Sequence, residues 1–129
     1  MAQRILVVDD DREFLDTSAG ILENAGYEVV TATSGKEARQ IAEEQTFDLF
    51  IIDVMMEYAD SGFVLCHELK NSKCKDVPIM IVTVLGRDKG IHFNLENEQE
   101  RKWIKADAYV EKPINAEELL RMAGSLLKN

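Results

Sequence analysis

Three short runs, ILVV at 5–8, LFII at 49–52 and IMIV at 79–82, are apolar at every position, and each stops at a polar residue: Asp9, Asp53 and Thr83. A strand with one wet face alternates apolar and polar residues, whereas a strand covered on both faces is apolar throughout. The runs are too short for buried helices and rich in β-branched residues, so they read as strands. The segments between them carry apolar residues at helical spacing. Doubly covered strands that alternate with helices fold as a parallel sheet with helices on both faces.

The remaining elements follow from local signals. RILVVD (4–9) is a first strand, and FLDTSAGILENAG forms a helix through Phe14, Leu15, Ala19, Ile21, Leu22 and Ala25, with Gly26 as its stop. YEVVTA (27–32) is a second strand, followed by Ser34 and Glu37, a capping box opening the helix GKEARQIAEEQ. LFIID is the third strand, after which Asp60 or Ser61 caps a helix through GFVLCHELKN. VPIMIVT (77–83) and DAYVE (107–111) are the fourth and fifth strands, and Asn115 with Glu118 caps a last helix, AEELLRMAGSLL.

Doubly wound sheets bind ligands beyond the carboxyl ends of their strands, where the strand order reverses. Read there, the chain offers Asp9, Asp10 and Asp11 after strand one, Asp53 after strand three, Thr83 after strand four, and Lys112 with Pro113 after strand five. Two carboxylates about 4 Å apart repel by about 4 kcal/mol at an effective dielectric near 20, so Asp9, Asp10 and Asp53 gathered together need a cation. Carboxylates are hard ligands suited to Mg²⁺, which keeps several waters and is completed by a phosphate. Lys112 adds a fixed positive charge and Thr83 a hydroxyl within the same edge, a set suited to phosphoryl chemistry on a carboxylate. Asp11 reads instead as the cap of the first helix.

Composition narrows the partners. The 129 residues carry 15 basic and 24 acidic side chains, a net charge of −9, which repels nucleic acid and anionic membrane surfaces. No apolar run approaches the roughly 20 residues that span a bilayer, and no charged leader precedes a signal-like core, so the cytoplasm is the expected compartment. Cys66 and Cys74 form no CxxC pair and read as reduced thiols, and His67 and His92 as ordinary helix or surface residues. Met55, Met56 and Met80 lie beside apolar runs and read as core filling.

ILVVDDD, DLFIIDVMM, IMIVT and AYVEKP stand in the order and approximate spacing of response-regulator receiver domains, and the chain resembles that family over 1–129. The resemblance implies a flavodoxin-like fold, with a five-stranded parallel sheet of order 2-1-3-4-5. It implies that Asp53 accepts a phosphoryl group from a histidine kinase or phosphotransfer protein, and that Asp9 and Asp10, with the backbone carbonyl of Met55, hold Mg²⁺. Thr83 matches the switch hydroxyl, Lys112 the lysine that pairs with the phosphoryl group, and Tyr109 the aromatic that follows the threonine. Read alone, Tyr109 is a packing residue of an edge strand. The family's Lys112-Pro113 bond is cis, which would aim the lysine into the site. The chain ends shortly after the last helix, so the expectation is a stand-alone signalling domain, not a metabolic enzyme, acting on an unknown downstream protein.

The chain departs from the family in places. Glu57 stands where many receivers have a proline, the loop before Gly62 is one residue longer, and Val84 follows the switch threonine in place of a small residue. Residues 85–106 run longer than the resemblance leads one to expect, by about seven residues, and Gly86 and Gly90 interrupt any helix before Leu95, which pairs at helical spacing with Trp103. That segment, with Phe93 and Trp103, is the expected partner surface. Two rival readings are a receiver-like binding module that works without phosphate and a haloacid dehalogenase-type phosphatase with Asp9 as nucleophile.

Met55, two residues past Asp53, and Leu85, two past Thr83, are both apolar and offer no hydrogen bond to an attacking water. Slow self-dephosphorylation is therefore expected. An acyl-phosphate lifetime of only seconds, followed by intact mass after removal of the donor, would contradict it.

Overall fold

A computed structural model of the chain describes residues 2–53, 61–83, 106–112 and 114–127, with the backbone alone described at 61–63 and at Thr83. Five strands alternate with four helices among these residues: β1 (Arg4–Val8), α1 (Arg12–Asn24), β2 (Glu28–Ala32), α2 (Gly35–Glu44), β3 (Leu49–Ile52), α3 (Ser61–Lys70), β4 (Ile79–Thr83), β5 (Ala108–Glu111) and α4 (Ala116–Leu127). All strand pairs are parallel and the order is β2-β1-β3-β4-β5, the order that the family resemblance implied. Each strand begins or ends within two residues of its expected boundary.

The period of two along each strand divides the interior into two cores. Leu6, Val8, Phe50, Ile52, Ile79 and Ile81 point to one face, where they meet Ala38 and Ala42 of α2 and Leu65, Cys66 and Leu69 of α3. Ile5, Val7, Leu49, Ile51, Met80 and Val82 point to the other, against Leu15 and Leu22 of α1 and Leu119 and Ala123 of α4. Both faces of β1, β3 and β4 are thus buried, which is why their sequences show no alternation. Met80 is core, as its setting indicated, and both cysteines are buried free thiols.

Caps fix where the helices start and stop. Asp11 accepts from the Glu13 N–H at 3.0 Å and the Phe14 N–H at 3.4 Å, Ser34 from Glu37 at 3.1 Å, and Asn115 from Glu118 at 2.7 Å. The capping box at α2 is modified: the Glu37 carboxylate accepts from the Thr33 N–H at 2.7 Å, one residue ahead of the cap itself. Gly26 closes α1 at φ +99°; its N–H donates to Glu23 and that of Tyr27 to Leu22, a Schellman ending that requires the left-handed conformation. The expected cap Asp60 lies outside the described residues, as does the surface at 85–105 with Phe93, Leu95 and Trp103.

Phe50 is fully buried at the centre of the sheet and touches Phe47, with ring centroids 5.8 Å apart. Phe50→Ala should lower the unfolding free energy by about 3–5 kcal/mol, with the denaturant slope unchanged, in equilibrium urea unfolding.

Candidate phosphoryl site

The sheet ladder carries two acids one residue past their strands. The Asp9 N–H donates to the Ala32 carbonyl at 3.0 Å, prolonging the β1–β2 pairing, and the Asp53 N–H donates to the Val8 carbonyl at 2.9 Å, prolonging β3–β1. Both side chains therefore leave the same edge, beside the crevice between β1 and β3 where the strand order reverses. Asp10 follows on the bend into α1. Asp9, Asp10 and Asp53 each place a carboxylate oxygen within 4.8 Å of the others.

Lys112, just past β5, reaches this cluster from the far side of β4. Its Nζ donates to Asp9 Oδ2 at 2.6 Å and stands 3.8 Å from Asp53 Oδ2. The same ammonium lies 4.1 Å from the centroid of the Phe14 ring, within cation–π range. Asp9 is wholly buried and Asp53 nearly so, whereas Asp10 is exposed. The other Asp9 oxygen, Oδ1, accepts the Asp11 N–H at 2.9 Å, so both ends of that carboxylate are held.

Burial pushes the Asp9 carboxyl above the ordinary carboxylate value; the hydrogen bonds from Lys112 and from the Asp11 N–H oppose that rise, and the nearby Asp53 charge adds to it. Asp10, though exposed, is raised too, first by partial desolvation of its carboxyl and then by the charge of Asp9. Burial is the larger cause of both shifts, and the neighbouring acids add to it. Oxygen donors so gathered fit a hard divalent cation, which Asp9, Asp10 and Asp53 are placed to hold.

Sequence reasoning thus brings together Asp9, Asp10, Asp53 and Lys112, and the structure places all four at one point. Thr83 ends β4 in register with Glu111, its side chain outside the described residues. Met55 and Pro113, and with it the Lys112-Pro113 bond, lie outside them as well, as do Glu57, Val84 and Leu85. Tyr109 is half-buried, packs against the core under α2 and α3, and holds its hydroxyl oxygen out of solvent. In the sequence Phe14 shows only as an apolar position of α1. The available signal was an aromatic in the first helical turn directly after three acids.

Fold and site together define a doubly wound α/β protein whose ligand edge is an acidic cluster faced by Lys112. The response regulator receiver domain family matches residues 5–123. A probable transcriptional regulator, ycf27 of Porphyra purpurea, is 40% identical, spanning 98% of this chain and 48% of that protein. The DNA-binding dual master transcriptional regulator RpaA of Synechocystis is 34% identical over 97% of this chain and 49% of its own length. Among solved structures, the chemotaxis protein CheY4 of Vibrio cholerae superimposes with a TM-score of 0.84 at 32% identity, covering 98% of this chain and 100% of that one. A CheY-like receiver domain from Methanospirillum hungatei gives 0.84 at 31% identity, covering 98% and 94%.

The chain belongs to the response regulator receiver family, a signalling domain of two-component systems. It spans about half the length of the curated relatives it matches. Receiver domains generally bind Mg²⁺ at an acidic pocket, which the Asp9, Asp10 and Asp53 cluster resembles. No helix among the described residues is long and apolar enough to cross a membrane.

Because Asp9 and Asp10 bind protons more tightly in the folded chain than in the unfolded one, stability should fall as pH rises from the ordinary carboxylate value through the raised ones. Mg²⁺ should raise the thermal midpoint at neutral pH, and that gain should shrink as pH falls through the raised values, because protons and cation compete for the same oxygens. Thermal unfolding with and without Mg²⁺ across pH tests both slopes; a gain independent of pH would rule the competition out.

Proposed function

We propose that this receiver takes a phosphoryl group onto Asp53 from the phosphohistidine of a histidine kinase or phosphotransfer protein, in a Mg²⁺-dependent reaction, and thereby changes its affinity for a protein partner. The observation that carries the reading is the convergence of three carboxylates within 4.8 Å with an ammonium 2.6 Å from Asp9 and 3.8 Å from Asp53. When bound by Asp9, Asp10, Asp53 and the backbone carbonyl of Met55, the cation supplies charge neutralisation for the phosphoryl oxygens.

The chain's own groups do the remainder. An Asp53 oxygen attacks phosphorus in line; the new O–P bond forms as the P–N bond breaks, and the electron pair returns to the ring nitrogen, so that a phosphohistidine protonated on its other nitrogen leaves as neutral imidazole. Lys112 stands within ion-pair distance of Asp53, so a short swing from Asp9 brings it onto a phosphoryl oxygen. Thr83, at the end of the adjacent strand, would follow with its hydroxyl, and Tyr109 on β5 with its ring. The chain catalyses at most its own phosphorylation and dephosphorylation. Asp9, wholly buried and held at both oxygens, is a poor nucleophile, which disfavours the phosphatase reading.

The relatives are transcriptional regulators, and the effect of this receiver on its target is proposed to pass through protein contact, since a net charge of −9 opposes direct binding to nucleic acid. Incubation with acetyl phosphate and Mg²⁺, followed by intact mass, should add one phosphoryl group. Asp53→Asn should abolish the addition, and a gain that survives Asp53→Asn but vanishes in Asp9→Asn would overturn the assignment.

A further inference from the structure

Among the described residues Lys112 has three neighbours in the resting site: the Asp9 carboxylate at 2.6 Å, the Asp53 carboxylate at 3.8 Å and the face of Phe14 at 4.1 Å. They respond differently to loading of the site. A divalent cation held by the acids would compete for their oxygens and repel the ammonium, so the carboxylate restraints would weaken just when the lysine is needed beside the phosphoryl group. The neutral Phe14 ring offers a hard cation no oxygen ligand and titrates at no working pH, so its attraction for the ammonium persists. The lysine side chain is only 14% exposed, a desolvated setting in which such an attraction is at the strong end of its range.

The placement of the ring is built into the chain. Phe14 sits in the first turn of α1, its N–H bonded to the Asp11 cap, and packs against the core shared by α1 and α4. Few rotamers are open to a ring so seated. We infer that Phe14 is a positioning residue for Lys112, its π-face holding the ammonium over the acidic cluster while the lysine passes from Asp9 to the phosphoryl group on Asp53. This rests on the proposed role of Asp53 as acceptor.

The test replaces Phe14 by Leu and, separately, by a series of ring-fluorinated phenylalanines that keep the shape while draining the negative potential of the face. Thermal unfolding verifies that each variant is folded. The rate of Asp53 phosphorylation by acetyl phosphate at saturating Mg²⁺ should fall about three- to thirtyfold in Phe14→Leu. Across the fluorinated set it should decline stepwise with each added fluorine, a trend that loss of packing alone does not produce. The ¹⁵N-edited signal of the Lys112 ammonium should also lose its ring-current shift in Phe14→Leu. An unsubstituted chain that gains no phosphoryl group overturns the acceptor reading and this inference together. Normal phosphorylation with a rate flat across the series, or a slow Phe14→Leu beside a flat fluorinated set, overturns the positioning role alone.

Discussion

The carboxyl edge of this domain is organised by a largely buried ammonium, Lys112, paired with Asp9 at 2.6 Å and with Asp53 at 3.8 Å. A carboxylate fully removed from water is costly unless it is paired and hydrogen-bonded, and Asp9 achieves both through Lys112 and the Asp11 N–H. The pair does not neutralise the site. Asp53 and Asp10 add two further acids beside the one ammonium found there among the described residues, and the Asp9 charge adds to the burial that raises Asp10. That remaining negative charge is the physical reason a hard cation would settle there. A fully compensated cluster would be a structural ion pair and nothing more.

Such a cluster survives because its members hang from rigid backbone. Asp9 and Asp53 extend ladder hydrogen bonds of the central strands, whose side chains are locked into two cores, so neither acid can retreat from the other without tearing the sheet. The opposite edge is pinned separately. Asp107 accepts the Ile79 N–H at 2.8 Å and the Lys70 ammonium at 3.0 Å, and Lys70 also donates to the Val77 carbonyl at 2.9 Å. These bonds fix the start of β4 and tie it to the approach to β5, and with it the register that delivers Lys112. By contrast, the exposed Arg4–Glu28 pair at 3.2 Å crosses two residues already in register and adds little.

Much of this was legible in the residues because the signals were local and redundant. Uninterrupted apolar runs identify doubly covered strands, caps identify helix starts, and acids at strand ends identify the ligand edge. What the residues withheld was three-dimensional partnership. Nothing in the sequence distinguishes Asp9, with no exposed surface, from exposed Asp10 beside it; the difference comes from where the strand ends and the bend begins. Nor does spacing reveal that Lys112 chooses Asp9 over Asp53 in the resting chain, since two oxygens 2.6 and 3.8 Å away compete by geometry alone. The sequence does not separate Phe14 from other core positions because an aromatic at helical spacing is accounted for by packing, and it does pack against the core. The Glu37 carboxylate bonds Thr33 and not Ser34 because the approach of the chain to the helix, which sequence does not specify, decides which N–H is in reach.

Three consecutive acids thus divide three tasks according to backbone conformation. Asp9 finishes the strand and turns inward; Asp10 sits on the bend and faces water; Asp11, in extended conformation at φ −85° and ψ 103°, caps α1. The third task bears on the first. The cap that Asp11 provides orients the turn that carries Phe14, the Asp11 N–H holds Asp9 Oδ1, and both Phe14 and Asp9 hold Lys112. A residue that contacts none of the phosphoryl chemistry is therefore coupled to it through two short routes, one by hydrogen bond and one by ring face. Loss of the cap would cost the helix about 1 kcal/mol, yet its larger effect would be geometric, because two of the groups that hold the ammonium, Asp9 and the Phe14 face, share one support and move with it.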